Sequence, residues 1–323
     1  MLVLLAVACR PGGTAPEVSR DDKSRTLCPP HFAYHPGGTF TIVREGARWG
    51  AAREKRYQIA LEPFCLAQYE ASQPGATAIE FGRYSFGQDV PPAQVKRGVK
   101  PWIVVSWVEA MMAVTQQGWR LPAYEELQAA ASSGDPERLW VHGPKWDCRK
   151  AELSWFETCR GVRMPQEGAG VTGGPSGRSN YGLPWYDFLG GVAEMTSTPW
   201  NRKCYGLTRF SLFGHAFLAG RGPAWETTQE PNPDKPGCWL FSGFAGTIRG
   251  EHEHDYLNRT YRDDGFRPAV APSPHWATFE ARTQAAPVKF PLAGWYFDPE
   301  TGKKVAYEIP RPESVTGNRP PES

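Results

Sequence analysis

Seven cysteines are the side chains of this 323-residue chain with the most chemistry open to them. Cys9 ends the apolar run Met1-Leu2-Val3-Leu4-Leu5-Ala6-Val7-Ala8 and is followed by Arg10-Pro11-Gly12-Gly13. A thiol after small apolar residues reads as the end of a bacterial lipoprotein signal, with Cys9 as the lipidated first mature residue. The alternative is a buried N-terminal strand with an incidental cysteine. Six thiols remain: Cys28, Cys65, Cys148, Cys159, Cys204 and Cys238. An even number in an exported chain points to disulfides, and six thiols allow fifteen pairings that the sequence does not rank. In a reducing compartment the same six would be free buried thiols. No CxxC spacing occurs, which argues against a zinc ribbon. One further cluster, Glu251-His252-Glu253-His254-Asp255, mixes imidazoles and carboxylates. On a strand His252 and His254 would share a face and suit a transition metal. No third ligand is identifiable, so a solvated polar loop is the preferred reading.

The elements that must position these groups are short. The 34 Gly and 31 Pro punctuate the chain and argue for a loop-rich domain, with 13 Trp available to fill its core. Lys plus Arg (36) nearly balances Asp plus Glu (34), so no global charge draws the chain to nucleic acid. No run of 18 or more apolar residues is present to span a membrane as a helix. After the turn at Pro36-Gly37-Gly38, Thr39–Val43 reads as a strand and Tyr57–Leu61 as a second, with Phe64–Tyr69 continuing their sheet. Ser106 and Glu109 have capping-box spacing, and Trp107, Ala110, Met111 and Val114 fall on one helical face that Gly118 would end. A second helix follows Pro122, with Tyr124, Leu127 and Ala131 on its buried face and Gly134 closing it. Asp298–Gly302 reads as the turn of a hairpin joining Gly294–Phe297 to Lys303–Tyr307.

Seven segments in order resemble the formylglycine-generating-enzyme, or sulfatase-modifying-factor, family. They are Pro36-Gly37-Gly38-Thr39-Phe40, Phe64-Cys65-Leu66-Ala67-Gln68-Tyr69-Glu70-Ala71-Ser72, Pro101 to Ala110 around Val105-Ser106-Trp107, and Arg120-Leu121-Pro122-Ala123-Tyr124-Glu125-Glu126-Leu127. Then follow Asn180-Tyr181-Gly182-Leu183 with Tyr186-Asp187-Phe188-Leu189-Gly190-Gly191-Val192-Ala193-Glu194-Met195, Arg221-Gly222-Pro223-Ala224-Trp225, and Arg262-Asp263-Asp264-Gly265-Phe266-Arg267. The resemblance implies an α+β, formylglycine-generating-enzyme-like variant of the C-type lectin fold: loop-rich, with small antiparallel sheets and two main helices. Arg120 and Arg267 each suit bidentate carboxylate binding in a structural role.

The resemblance also implies what is missing. The family's oxidases hold copper on two cysteines shortly after R-G-G-S-[FW]. Thr227 and Asn232 stand at those positions here, and Ala224 replaces the serine. Copper is therefore not expected. The family's calcium loop maps to the side chains of Asp187 and Glu194 and the carbonyls of Phe188, Gly190 and Val192, a set a hard cation prefers. The competing reading is that Glu194 merely accepts hydrogen bonds. Trp225, Trp239 and Phe241 would line the family's groove, with His252 and His254 nearby. The expected organisation is a signal-like segment at 1–9, a tether at 10–27, the main domain at 28–285, and a hairpin appendage with a Pro-rich disordered tail at 286–323. The expected role is that of a non-catalytic, lipid-anchored protein of the bacterial cell envelope. It would be held to the membrane by its N-terminal lipid and bind an envelope protein, peptide or glycan. The alternative is a divergent metal-dependent enzyme with a relocated site at His252/His254 or Cys238.

Overall fold

A computed structural model of the chain describes residues 21–45, 54–72, 74, 90–138, 183–188, 192–200, 202–214, 252–254, 257, 260 and 264–311. The tether expected over 10–27 gives way to structure before its end. Asp22–Leu27 forms helix α1, whose first turn is capped by Asp21 Oδ1 accepting from Ser24 N at 2.6 Å. An acceptor there satisfies one of the N–H groups that a helix start leaves without a partner.

The centre of the molecule is a three-stranded sheet ordered β1 (Phe32–His35), β4 (Phe64–Ala67) and β9 (Ala269–Val270). Its two faces bury against separate apolar clusters. Phe32, Cys65, Ala67 and Val270 enter one, while Ala33, Phe64, Leu66 and Ala269 enter the other. Successive strand residues point to opposite faces, so a strand covered on both sides must be apolar throughout. Phe64-Cys65-Leu66-Ala67 is. Strands β2 (Gly38–Glu45) and β3 (Glu54–Leu61) form the expected pair, in register from Gly38↔Leu61 to Glu45↔Glu54. The Phe64 strand does not continue that sheet, as its sequence position suggested. Only Glu62 and Pro63 separate β3 from β4, yet β4 leaves for the central layer, where it pairs with β1 and β9.

Helices cover both faces. Helix α2 (Trp107–Gln116) packs into the first cluster and α3 (Tyr124–Ser132) into the second. The capping box closes α2 as expected: Ser106 Oγ accepts from Glu109 N at 3.2 Å, and Glu109 Oε2 accepts from Ser106 N at 2.8 Å. Helix α3 starts differently. Tyr124 N donates to Thr198 Oγ1 at 2.9 Å, and Glu126 Oε2 accepts from Ala123 N at 2.9 Å.

A second sheet runs in the order β7 (His252–His254), β6 (Phe210–Phe213), β5 (Ala193–Pro199), β8 (Asp264–Phe266). Its β5–β8 pair is parallel, a departure from all-antiparallel pairing. The short α4 (Arg202–Tyr205) joins β5 to β6. The C-terminal hairpin, β10 (Leu292–Phe297) and β11 (Lys304–Ile309), forms as expected. It does not hang from the domain. Leu292, Tyr296, Tyr307 and Ile309 belong to the first cluster, Phe297 to the second, and Tyr307 Oη donates to Ser197 O at 2.7 Å.

Of the candidate disulfides, Cys28–Cys65 is formed, with Cα atoms 5.6 Å apart, fastening the end of α1 to β4. Cys204 sits in α4. Cys148, Cys159 and Cys238, and also Cys9, lie outside the described residues.

His35 ends β1 as a buried imidazole stacked on Phe64 and near Trp185. Burial lowers its pKa from 6.5 to about 4, against a smaller upward pull from Glu126. Its Nδ1 accepts from Gly37 N at 3.1 Å, a bond a second ring proton would break. The unfolded chain therefore takes up a proton near 6.5 and the native state only near 4. Stability is complete above pH 6.5 and falls as pH drops toward 4, by roughly 3 kcal/mol from this residue. His35→Phe should flatten that part of the stability–pH curve measured by urea unfolding. An unchanged slope between pH 6.5 and 4 in the variant would remove His35 as its source.

Candidate functional site

Four ionisable side chains meet between the central sheet and the second sheet: Glu70, Asp187, Glu194 and Arg267. All are buried, Glu194 and Arg267 completely. Glu70 follows β4 by three residues, Glu194 is the second residue of β5, and Arg267 follows β8 directly. The parallel pairing Glu194↔Gly265 brings Arg267 alongside Glu194. Gly265 is what allows the close approach. A Cβ there would come within 2.7 Å of Val192 Cγ2 and 2.9 Å of Trp102 O.

Arg267 spends its donors on one carboxylate and two carbonyls. Nε donates to Glu194 Oε1 at 2.8 Å, Nη1 to Ala67 O at 3.0 Å and Nη2 to Tyr186 O at 2.6 Å. Nη2 also lies 2.6 Å from Glu194 Oε1, and the guanidinium sits 4.7 Å from the centre of the Phe188 ring. The fork geometry suits several fixed acceptors at once. The loop 183–188 is held from the other side by residue 68: Gln68 Nε2 donates to Pro184 O at 2.9 Å and Gln68 O accepts from Tyr186 N at 2.9 Å. Glu70 Oε1 accepts from Val192 N at 3.0 Å. Asp187 adopts φ +57°, a left-handed conformation that Asp tolerates better than most side chains.

Three carboxylates thus surround one guanidinium. Burial raises the pKa of Glu70 well above its usual range, Asp187 and Glu194 push it further, and Arg267 only partly offsets them. Burial likewise raises that of Glu194 against the pull of Arg267. Two negative charges in excess of the cation, out of water, call for protons or a further cation. Glu194 Oε2 is buried and has no hydrogen-bond partner among the described residues. Its orphaned oxygen and the neighbouring acids fit a hard cation in charge and donor chemistry. No group of three or more His, Cys, Asp or Glu side chains among the described residues could hold a metal ion. Main-chain oxygens would have to complete the set.

Asp187, Phe188, Val192 and Glu194 are brought together here, while Gly190 lies outside the described residues. So do Thr227, Asn232 and the groove aromatics Trp225, Trp239 and Phe241. His252 and His254 are not in a loop, as the sequence reading preferred. They lie on β7, in register with Leu212 and Phe210 of β6, because the segment closes the edge of the second sheet. Arg120 is bidentate as expected, to Glu126 at 2.6 and 2.7 Å. Glu70 was not foreseen as part of the site. Its one signal is a carboxylate flanked by Tyr69 and Ala71 at the end of an otherwise apolar segment.

Comparison with known proteins adds a family and several likenesses. The model of the sulfatase-modifying factor enzyme 1-like domain matches residues 18–269. No curated protein matches the chain. Among solved structures the chain is similar to Treponema denticola variable protein 1, with 13% identity and a TM-score of 0.39 over 73% of this chain and 95% of that one. It is also similar to the Major Tropism Determinant U1 variant, at 14% identity and TM-score 0.30, over 75% of this chain and 63% of that one. The I1 variant gives 15% identity and the same TM-score and coverage.

Proposed function

The chain belongs to the sulfatase-modifying factor enzyme 1-like family, and from that premise we propose that it is a non-catalytic, lipid-anchored envelope protein whose fold binds a protein, peptide or glycan partner. The observation that carries this reading lies in the sequence. Where the family's oxidases place two copper-binding cysteines, this chain has Thr227 and Asn232. Cu(I) is held by soft thiolates, and a hydroxyl and an amide do not replace them. Pro223 stands where the motif has its second glycine, which fixes φ and removes an N–H at that point of the loop. Cys238 is the one thiol near in sequence, and a single thiol does not make the pair.

Two measurements test the reading. The purified protein, given a sulfatase-type cysteine peptide, Cu(I), reductant and oxygen, is expected to leave the peptide thiol intact by mass spectrometry. Turnover that disappears in Cys238→Ser would sink the non-catalytic reading and place a relocated thiol pair in the protein. The anchor is tested separately: wild type is expected to carry a diacylglyceryl adduct on Cys9, and Cys9→Ala to leave the membrane fraction. Membrane retention of the variant, with no adduct in wild type, would remove the anchor.

Calcium is the second element of the proposal. Asp187 and Glu194, the latter through Oε2, would hold the ion with the carbonyls of Phe188, Gly190 and Val192. The ion would neutralise the excess charge of the acid cluster and tie the 183–188 loop to β5. Glu70 keeps its bond to Val192 N and Arg267 its bonds to Glu194 Oε1 and Tyr186 O, and so they hold the β5 side and the 183–188 side in place. A ligand bound only by the native state adds about 2.7 kcal/mol at a hundredfold excess over its dissociation constant. EDTA should therefore lower the melting temperature and Ca²⁺ restore it. A melting curve indifferent to both would leave Glu194 an ordinary partner of Arg267.

A further inference from the structure

Two consecutive buried glutamines, the last residue of helix α2 and its C-cap, close that helix. Gln117 Nε2 donates to Ala93 O at 2.8 Å and to Arg282 O at 2.9 Å, while its Oε1 accepts from Arg282 N at 2.9 Å. Gln116 Nε2 donates to Val90 O at 2.7 Å, and its Oε1 accepts from Ala286 N at 2.6 Å. Gln94 Nε2 adds a third amide, donating to Arg282 O at 2.6 Å. Gln116 and Gln117 stand between two irregular segments, 90–94 and 282–286, and bond both as a neighbouring strand would. Every one of these bonds on the 282–286 side is to main chain.

That mode of holding has consequences for the strap. Residues 281–285 are exposed, so little apolar area keeps them in place. On either side the chain is anchored in the first apolar cluster, by Trp276 before the strap and by Leu292 and Tyr296 after it. A segment whose side chains are exposed and whose hydrogen bonds are at most part-buried, between two well-buried anchors, is the kind that opens locally while the rest stays folded. The segment it fastens leads to the site. Gln94 O accepts from Ser72 N at 2.8 Å, Ser72 Oγ accepts from Lys96 N at 2.8 Å, and Glu70 lies two residues before Ser72.

We infer that residues 281–286 form a latch, gripped by its main chain in the side-chain amides of Gln94, Gln116 and Gln117, which opens locally without unfolding the domain and when closed backs the segment that carries Glu70. The inference is independent of the binding role and of calcium. It stands or falls on the behaviour of the strap.

Hydrogen exchange of the full chain, followed residue by residue, gives the first test. The Arg282 and Ala286 amides should be protected despite their exposed setting, and their exchange should not respond to low urea. The amides of β10 and β11 should exchange more slowly and in step with urea. Unprotected Arg282 and Ala286, or exchange in step with the hairpin, overturns the latch. The second test is limited trypsin digestion. Gln117→Leu should speed cleavage after Arg282 by about tenfold or more, as expected for losing its two hydrogen bonds to Arg282. The nicked C-terminal fragment should stay bound through its buried hairpin, and the melting transition should stay cooperative. Unchanged cleavage after Arg282 in a folded Gln117→Leu protein refutes the grip. If that variant does not fold, the exchange measurement on wild type decides the question.

Discussion

Replacing Arg267 with methionine is expected to destabilise the protein by about 3–5 kcal/mol, enough to unfold much of it at 37 °C. The side chain is fully buried and is the guanidinium that the acid cluster surrounds. Methionine fills much of the same volume, so the loss would come from charge and hydrogen bonding and not from a cavity. Glu194 would be left as a buried carboxylate without its partner, beside Glu70 and Asp187. Three main-chain or side-chain acceptors, Ala67 O, Tyr186 O and Glu194 Oε1, would lose their donor. Arg267→Lys should recover little, because an ammonium on a flexible stem cannot reach three fixed acceptors as the fork does. The pH dependence identifies the cause. Without the cation the acids prefer their protonated forms more strongly in the native state than in the unfolded chain. The folded variant then binds more protons, and its deficit should shrink as pH falls. Urea unfolding at pH 7.5 and pH 5.5 measures both effects. A loss under about 1 kcal/mol, no larger than a surface ion pair contributes, would show that the acid cluster does not depend on this arginine.

The second large effect is expected from the disulfide. Cys28 and Cys65 are 37 residues apart, and closing a loop of that length in the unfolded chain is worth about 4 kcal/mol. The bond also carries position. It ties the end of α1 to the strand that separates the two apolar clusters, and Ser273 N donates to Leu27 O at 2.9 Å beside it. Cys28→Ala/Cys65→Ala should lower the urea midpoint by an amount matching that energy. Both cysteines are buried, so dithiothreitol should leave the native protein unchanged and act only once unfolding begins. A double variant as stable as the oxidised wild type would show that the bond does not form in the folded protein.

Several parts of this molecule were legible in the sequence because short-range chemistry fixes them. The capping box Ser106–Glu109 spans three residues and needs no outside partner, so its spacing sufficed. The C-terminal hairpin was legible from its turn and flanking strands. Arg120 and Arg267 were readable as carboxylate binders because the guanidinium has few other uses in a core. Ordered motifs also singled out Asp187 and Glu194 in one segment, although they said nothing of the strand that carries Glu194 or of how tightly either would be buried.

Other features belong to the tertiary structure alone. Arg44 looks like an ordinary charged residue of a strand, yet it is fully buried, donating to Ser211 Oγ at 3.1 Å and lying 4.6 Å from the Tyr124 ring. Its partners come from β6 and α3, far away in sequence. The same holds for Thr198 of β5, whose hydroxyl accepts from the first N–H of α3, for Glu70 in the acid cluster and for the glutamine amides beneath the strap. The placement of β4 shows the cause most directly. Phe64-Cys65-Leu66-Ala67 is apolar at every position, so its pattern tells that both faces are covered and not by what. Composition and periodicity determine that a segment is helix, strand or turn and which side chains must leave water. Which cysteine meets Cys28, which carboxylate meets Arg267 and which sheet receives β4 depend on distances between segments as much as about two hundred residues apart, as with Cys65 and Val270 or Arg267 and Ala67. Those distances exist only once the two apolar clusters have closed around the central sheet.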